Sequence, residues 1–231
     1  MTVLALRLAA PLQSWGAASR FVRRYTHMEP TKSGIVGLIA AAQGRRRTDP
    51  IEDLTRLTLG VRVDQPGRLV RDFQTARPDV GKPLPLSYRF YLGDAVFLAL
   101  VEADDELLAG IDEALRQPAF PLYLGRRSCP PAGPINLGLR DGDIASALKD
   151  EPWLASRWYR NKHHRGQPQV RLITVSDCQP GDEGAETVRD EPVTFDPDHR
   201  QYHWRSIRRG WVEVANPDAA SAVDSHDPMT A

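Results

Sequence analysis

The residues best suited to chemistry in this 231-residue chain are Thr31, Lys32, Ser33 and Gly34, which follow Pro30 and open the apolar run Ile35, Val36, Leu38, Ile39. Backbone N–H groups at a helix start carry partial positive charge, so a lysine and hydroxyls there suit an anion. The phosphate loop of nucleotide hydrolases is excluded by spacing. That motif needs glycine just before its lysine and again five positions earlier, where this chain has Thr31 and Thr26. Two readings stay open: helix-terminal N–H groups and Lys32 meeting a phosphate, or a capped core helix with a surface lysine.

The arm before it holds Gln13, Ser14, Trp15, Gly16, Arg20, Phe21, Arg23, Arg24 and Tyr25. Guanidinium groups contact phosphates while rings stack bases, a combination suited to single-stranded nucleic acid. The alternative makes Trp15 and Phe21 core anchors under a basic loop. A second basic stretch is Tyr123-Leu124-Gly125-Arg126-Arg127-Ser128-Cys129-Pro130-Pro131. Gly125 permits a tight turn, the adjacent arginines point different ways, and arginine forks fit phosphate oxygens. Tyr25, His27 and Lys32 would be the base, acid and cation of a metal-independent ribonuclease. His199 and His203 would share a zinc ion only on a helix, and no cysteine pair accompanies them.

These groups need a scaffold. Residues 2–9 alternate, with Leu4, Leu6 and Leu8 opposite Arg7, as in a half-buried strand. Residues 10–30 lack periodicity and read as a long arm. Thr31 caps a helix whose Ile35, Leu38, Ile39 and Ala42 share one face, and Gly44 stops it. A short helix at 51–57 leads to a strand at 59–64, a turn at Gln65-Pro66-Gly67-Arg68, and a return strand through Phe73. The proline-rich segment 76–87 leaves the sheet as a loop or projecting hairpin. Residues 88–101 form a long central strand, Asp104 caps a second helix ending at Pro118, and a short strand is expected at 120–124. The order is βαββαβ, ferredoxin-like or RRM-like, within an α+β protein. Strands at 170–175, 186–190 and 205–214 are expected to build a small antiparallel C-terminal subdomain over 141–214, after a first domain at 1–140. Residues 215–231 read as a disordered tail.

Formal net charge is zero and 41% of residues are apolar, so bulk charge does not announce a nucleic-acid binder. The charges are segregated, however. Residues 1–47 hold eight Lys/Arg against Glu29 alone, and residues 152–176 hold five with no acid. One polyanion-facing side fits this pattern, as do two solvated basic loops. No run is long enough to span a membrane, Arg7 interrupts any leader-like start, and Cys129 with Cys178 suggests ordinary thiols of a reducing cytoplasm.

Four segments taken together, residues 6–16, 30–38, 123–130 and 189–192, resemble the CasD family, the single-copy subunit of type I-E Cascade complexes in CRISPR immunity. They occur in the family's order, and the resemblance spans residues 3–195. It implies a RAMP-superfamily protein with an RRM-like domain and a small β domain. The family caps the 5′ handle of the CRISPR RNA and contacts the backbone subunit and the large PAM-reading subunit, meeting target DNA through the assembled complex. A thumb-like hairpin interrupts guide–target pairing, and 76–87 is the candidate here. By the same resemblance Gln13, Trp15, Gly16, Arg20, Arg23, Arg24, Thr31, Lys32, Ser33, Gly34, Arg126 and Arg127 are the expected RNA contacts. Neither a catalytic role for Tyr25, His27 and Lys32 nor any metal or cofactor is expected, because in type I-E systems a separate subunit cuts the RNA; precursor processing by this chain is the alternative.

Overall fold

The computed structural model describes residues 1–16, 23–75 and 85–219. Its strands are β1 (Thr2–Gln13), β2 (Trp15–Gly16), β3 (Arg23–Arg24), β4 (Thr26–His27), β5 (Thr58–Gln65), β6 (Arg68–Gln74), β7 (Ser87–Glu102), β8 (Asn136–Asp141), β9 (Gln169–Asp177), β10 (Ala185–Thr194) and β11 (Gln201–Ala215). The helices are α1 (Lys32–Ala42), α2 (Glu52–Thr55), α3 (Asp105–Arg116), α4 (Ile144–Asp150) and α5 (Arg157–His163). The result is a mixed α/β protein on a mostly antiparallel sheet in the order β10-β11-β9-β5-β7-β1-β8, with β3 and β6 also on β7.

The core forms where the apolar periods demand it. Thr31 caps α1, its hydroxyl accepting from the Gly34 N–H at 3.2 Å, and Gly44 at φ +78° follows the helix. Asp104 caps α3 through the Leu107 N–H at 2.8 Å. Ile35 and Ile39 of α1 and Leu108 and Ile111 of α3 bury against Leu4, Leu6, Leu8, Phe97 and Ala99 on one sheet face. On the other face α4 covers Val3, Ala5, Leu98 and Leu100. β1 is therefore buried on both faces rather than half-buried, and it runs on through Pro11 to Gln13 where an irregular arm was expected.

Two other expectations change. No strand forms at 120–124; the N–H groups of Ala119 and Phe120 instead donate to the carbonyls of Ala42 and Ala41 at the end of α1, at 2.9 and 3.2 Å. The outer edge of β1 is taken by β8 instead. The segment 59–73 is not a hairpin: β5 pairs with the C-terminal half of β7 and β6 with its N-terminal half. Gly67 tucks against Leu92 and Ala95, where a Cβ would come within 2.8 Å, so the chain bends in place and continues along the same neighbour. The actual hairpin is β6–β7, with Gln74 opposite Ser87 and β6 mostly exposed. Of the expected thumb, 76–84 lies outside the described residues.

The three C-terminal strands are longer than expected and join the main sheet, β9 pairing with β5 at Gly60–Arg62. Behind that junction the fully buried Arg62 donates to both Asp64 oxygens, at 2.6 and 3.0 Å, and to the carbonyls of Leu148, Glu151 and Pro152. Ala215 still belongs to β11, and the buried Asn216 donates to the carbonyls of His164 and Gln167 at 3.0 and 2.9 Å, so the order reaches past the expected start of the tail; 220–231 lies outside the described residues.

Candidate nucleic-acid interface

The four sequence segments meet around Trp15. The indole is fully buried and lies under the first turn of α1; a Cβ on Gly34 would stand 2.8 Å from it. Its Nε1 donates to Gln13 Oε1 at 3.2 Å, and Gln13, itself fully buried, donates to the carbonyls of Ala95 at 2.7 Å and Leu8 at 3.2 Å. Next to it the Ser14 N–H donates to the Leu124 carbonyl at 3.0 Å. Gly125, at φ +91°, presses on the Ser14 carbonyl so closely that a Cβ would lie 1.6 Å from that oxygen. The glycine-bearing turn thus docks on the arm backbone to backbone.

The helix start closes the constellation from the other side. The Lys32 N–H donates to Asp190 Oδ2 at 2.8 Å, and Lys32 Nζ sits 2.8 Å from Glu191 and 3.8 Å from Asp177. Arg205 bridges Asp190 and Asp177. Burial opposes the Arg205 charge, but its carboxylate partners outweigh that, and the guanidinium pKa is raised. The groups read from sequence as a phosphate clamp therefore meet protein carboxylates. With Thr31 and Lys32 buried, the Lys32 ammonium and backbone N–H of this cluster are turned toward protein carboxylates. Gln13, Trp15, Thr31 and Lys32 position the site from within, Gly34 gives α1 room over the indole, and Ser33 lies beside the Thr31 hydroxyl at 3.3 Å.

The exposed face of the same constellation is cationic. Gly16, Arg23, Arg24 and Arg127 are exposed, and Arg20 lies outside the described residues. β3 pairs in parallel with β7, placing Arg23 beside Tyr88 and Arg24 beside Arg89. The two adjacent arginines of the turn do different work. Arg126 reaches inward, donating to the carbonyls of Phe90 at 3.2 Å and Arg24 at 3.0 Å, with its guanidinium 4.7 Å over the Tyr91 ring. Arg127 projects outward. Among the described residues none of Arg23, Arg24, Arg89, Arg126 and Arg127 makes an ion pair, and Arg89 Nε is buried without a hydrogen-bond partner. Burial raises the Tyr91 phenol, but hydrogen bonds from Ser128 and Arg126 outweigh it and bring its pKa below the ordinary value. Burial pushes the Cys129 thiol up, leaving it a packing residue under the turn.

A chain related to this geometry is known. The model of the CRISPR-associated protein (Cas_Cas5) family matches residues 3–208. The chain belongs to that family. It is 35% identical over 156 residues, 58% of this chain and 70% of the relative, to the CRISPR system Cascade subunit CasD of Escherichia coli (strain K12). A solved structure described as a CRISPR RNA-guided surveillance complex contains a chain with a TM-score of 0.77 and 32% identity, covering 92% of this chain and 91% of that one. A crystal structure of a Cas protein gives 0.72 and 36%, covering 93% and 99%.

Within this family member the ribonuclease trio is not assembled. Lys32 is enclosed by carboxylates, Tyr25 stacks on Phe90 at 5.0 Å, and His27 lies on β4 opposite Trp15; no hydrogen bond joins the three among the described residues. His199 lies in a bend and His203 on β11, so their spacing does not put two rings on one helix face. Sequence reasoning missed Tyr91, Arg89 and Ser128. The long central strand expected over 88–101 marked Tyr91 only as a strand residue, and only the fold brings Arg126 over its ring.

Proposed function

We propose that this chain is a CasD subunit of a type I-E Cascade complex, holding the 5′ handle of the CRISPR RNA on the face made by Arg23, Arg24, Arg89 and Arg127. The observation that carries this is the cluster of guanidinium groups that make no ion pair among the described residues, built where the four CasD-like segments meet. Phosphate contacts from such a face position the RNA, and Tyr25 stacked on Phe90 beside it offers a ring to an unstacked base. The order β8-β1-β7-β5, with α1 and α3 in the crossovers, supports the ferredoxin-like reading of 1–140, with 141–214 as its β-rich extension. The β6–β7 hairpin is the stem of the thumb. The subunit is non-catalytic, works in the cytoplasm, and meets the backbone subunit, the large subunit and, through them, target DNA.

The test is binding of handle RNA across a salt series by wild type and by Arg24→Ala with Arg127→Ala. Two lost single-strand phosphate contacts flatten the log–log salt dependence by about 1.4, at about 0.7 per contact. An unchanged slope refutes the assignment. Arg126→Ala has a different expected signature, loss of thermal stability, because that side chain ties the turn to β3 and β7.

A further inference from the structure

The basic stretch 152–176 is not absorbed by the interface above. Its centre is α5, which is fixed from beneath. Ser156, the N-cap, accepts from the Tyr159 N–H at 3.2 Å and donates to Gln65 Oε1 at 2.9 Å. Arg160 is tied to Asp218 and to the Ala155 carbonyl, both at 2.8 Å. Tyr159 packs on the small core of Trp153, Val170, Leu172 and Val214, and the His164 ring meets the Trp153 ring edge-on at 5.2 Å. Through Gln65, which donates to the Asp94 carbonyl at 2.6 Å, the helix abuts the bend where the β6–β7 hairpin leaves the sheet.

The outer side of this rigid base presents Arg157, Trp158, Lys162, His163 and Arg165, all exposed. Lys162 Nζ lies 4.8 Å over the Trp158 ring, and the indole is 54% exposed. Among the described residues neither Arg157, Lys162 nor Arg165 has an ion-pair partner, in contrast to Arg160 behind them. The helix dipole accounts for Lys162 and His163 near the C-terminus. It does not account for Arg157 in the first turn, where a cation is unfavourable, nor for Arg165 beyond the helix. A protein interface fits less well: Arg and Trp are common there, but its core is depleted of charge, and this face sets three exposed cations around one indole. Cations beside an exposed indole are the arrangement that takes phosphates and stacked bases.

We infer that α5 and the turn after it form a second, sequence-independent nucleic-acid surface that takes a phosphodiester backbone. This surface is separate from the handle site and stands without it. The experiment measures fluorescence anisotropy of the full chain with short mixed-sequence single-stranded RNA, single-stranded DNA and duplex DNA across a salt series. Wild type is compared with Arg157→Ala/Lys162→Ala/Arg165→Ala, and Arg24→Ala/Arg127→Ala serves as the handle-site control. The triple variant is expected to flatten the salt slope on a single strand by about 2, three contacts at about 0.7 each. The same flattening is expected in the background of the control substitutions, because the two surfaces are separate. Trp158→Ala should weaken single-strand binding with no change of slope, because stacking releases no counterions. Loss in the RNA arm alone assigns the surface to guide RNA, and loss in a DNA arm assigns it to target DNA. The inference is overturned if the slope is unchanged in every arm, or if the full chain binds none of the probes at low salt.

Discussion

Lys32 separates the structural from the sequence reading most sharply, and Lys32→Met tests it. Methionine keeps the buried stem and removes only the ammonium. That group stands 2.8 Å from Glu191 and 3.8 Å from Asp177, in a side chain 6% exposed. Breaking a fully buried pair costs about 3–5 kcal/mol because a charge is left unpaired in a medium of low dielectric. Two features reduce the cost here. Glu191 is 27% exposed and can rehydrate, and Asp177 keeps Arg205 and the Leu59 N–H. The expected loss is therefore about 2 kcal/mol, between the surface and buried limits. For a chain of this size that lowers the melting temperature by about 4–8 °C. Denaturant and thermal unfolding measure the loss. RNA binding, assayed well below the transition, should keep its salt slope, since the ammonium faces protein carboxylates. An unchanged melting temperature together with a slope flatter by about 0.7 would refute the reasoning, because it is what a Lys32–phosphate contact predicts.

Two more outcomes follow from the same site. Gly125→Ala combines a φ of +91° with a Cβ placed 1.6 Å from the Ser14 oxygen, so the turn must leave the arm and lose the Ser14–Leu124 hydrogen bond; a loss of about 4 kcal/mol or more, the exceptional end of point substitutions, is expected in urea unfolding. In a spectroscopic pH titration of the six tyrosines, Tyr91 should ionise ahead of the usual phenol range. Because its folded pKa is depressed, it adds stability as pH rises through that pKa and loses it as pH falls back. With Arg126→Ala the early step should move up toward the ordinary range; an unmoved step would remove Arg126 as a cause.

Much of the scaffold was legible because its determinants are local. Thr31, the Ile35–Ala42 spacing and Gly44 specify α1 within one segment, and Asp104 with Leu108 and Ile111 does the same for α3. The site was legible as a set of places rather than of roles. Trp15 in a basic arm looks the same from sequence whether it faces a base or the underside of a helix, and Gly34 decides it only in three dimensions. Lys32 finds its partners 158 and 159 residues along the chain, a separation no local pattern reports. Pro66-Gly67 has the composition of a hairpin turn, yet close packing on Leu92 and Ala95 makes it a bend between two strands on one neighbour.

The neutral net charge of the chain has a spatial explanation in this arrangement. Asp177, Asp190 and Glu191 are spent on Lys32, Arg205 and the N-terminus of α1, which locks β9, β10 and β11 to the helix that covers Trp15. Trp15 and Ser14 in turn hold the turn that carries Arg126 and Arg127. The carboxylates thus fix the frame, and none of them makes an ion pair with Arg23, Arg24 or Arg127. Moving one acid to the exposed face, as in Ser128→Asp, places a carboxylate beside Tyr91 and Arg126. By Coulomb's law it would neutralise the nearest guanidinium and repel the polyanion together. Charge placement, and not net charge, is what the proposed RNA contact of this neutral chain rests on.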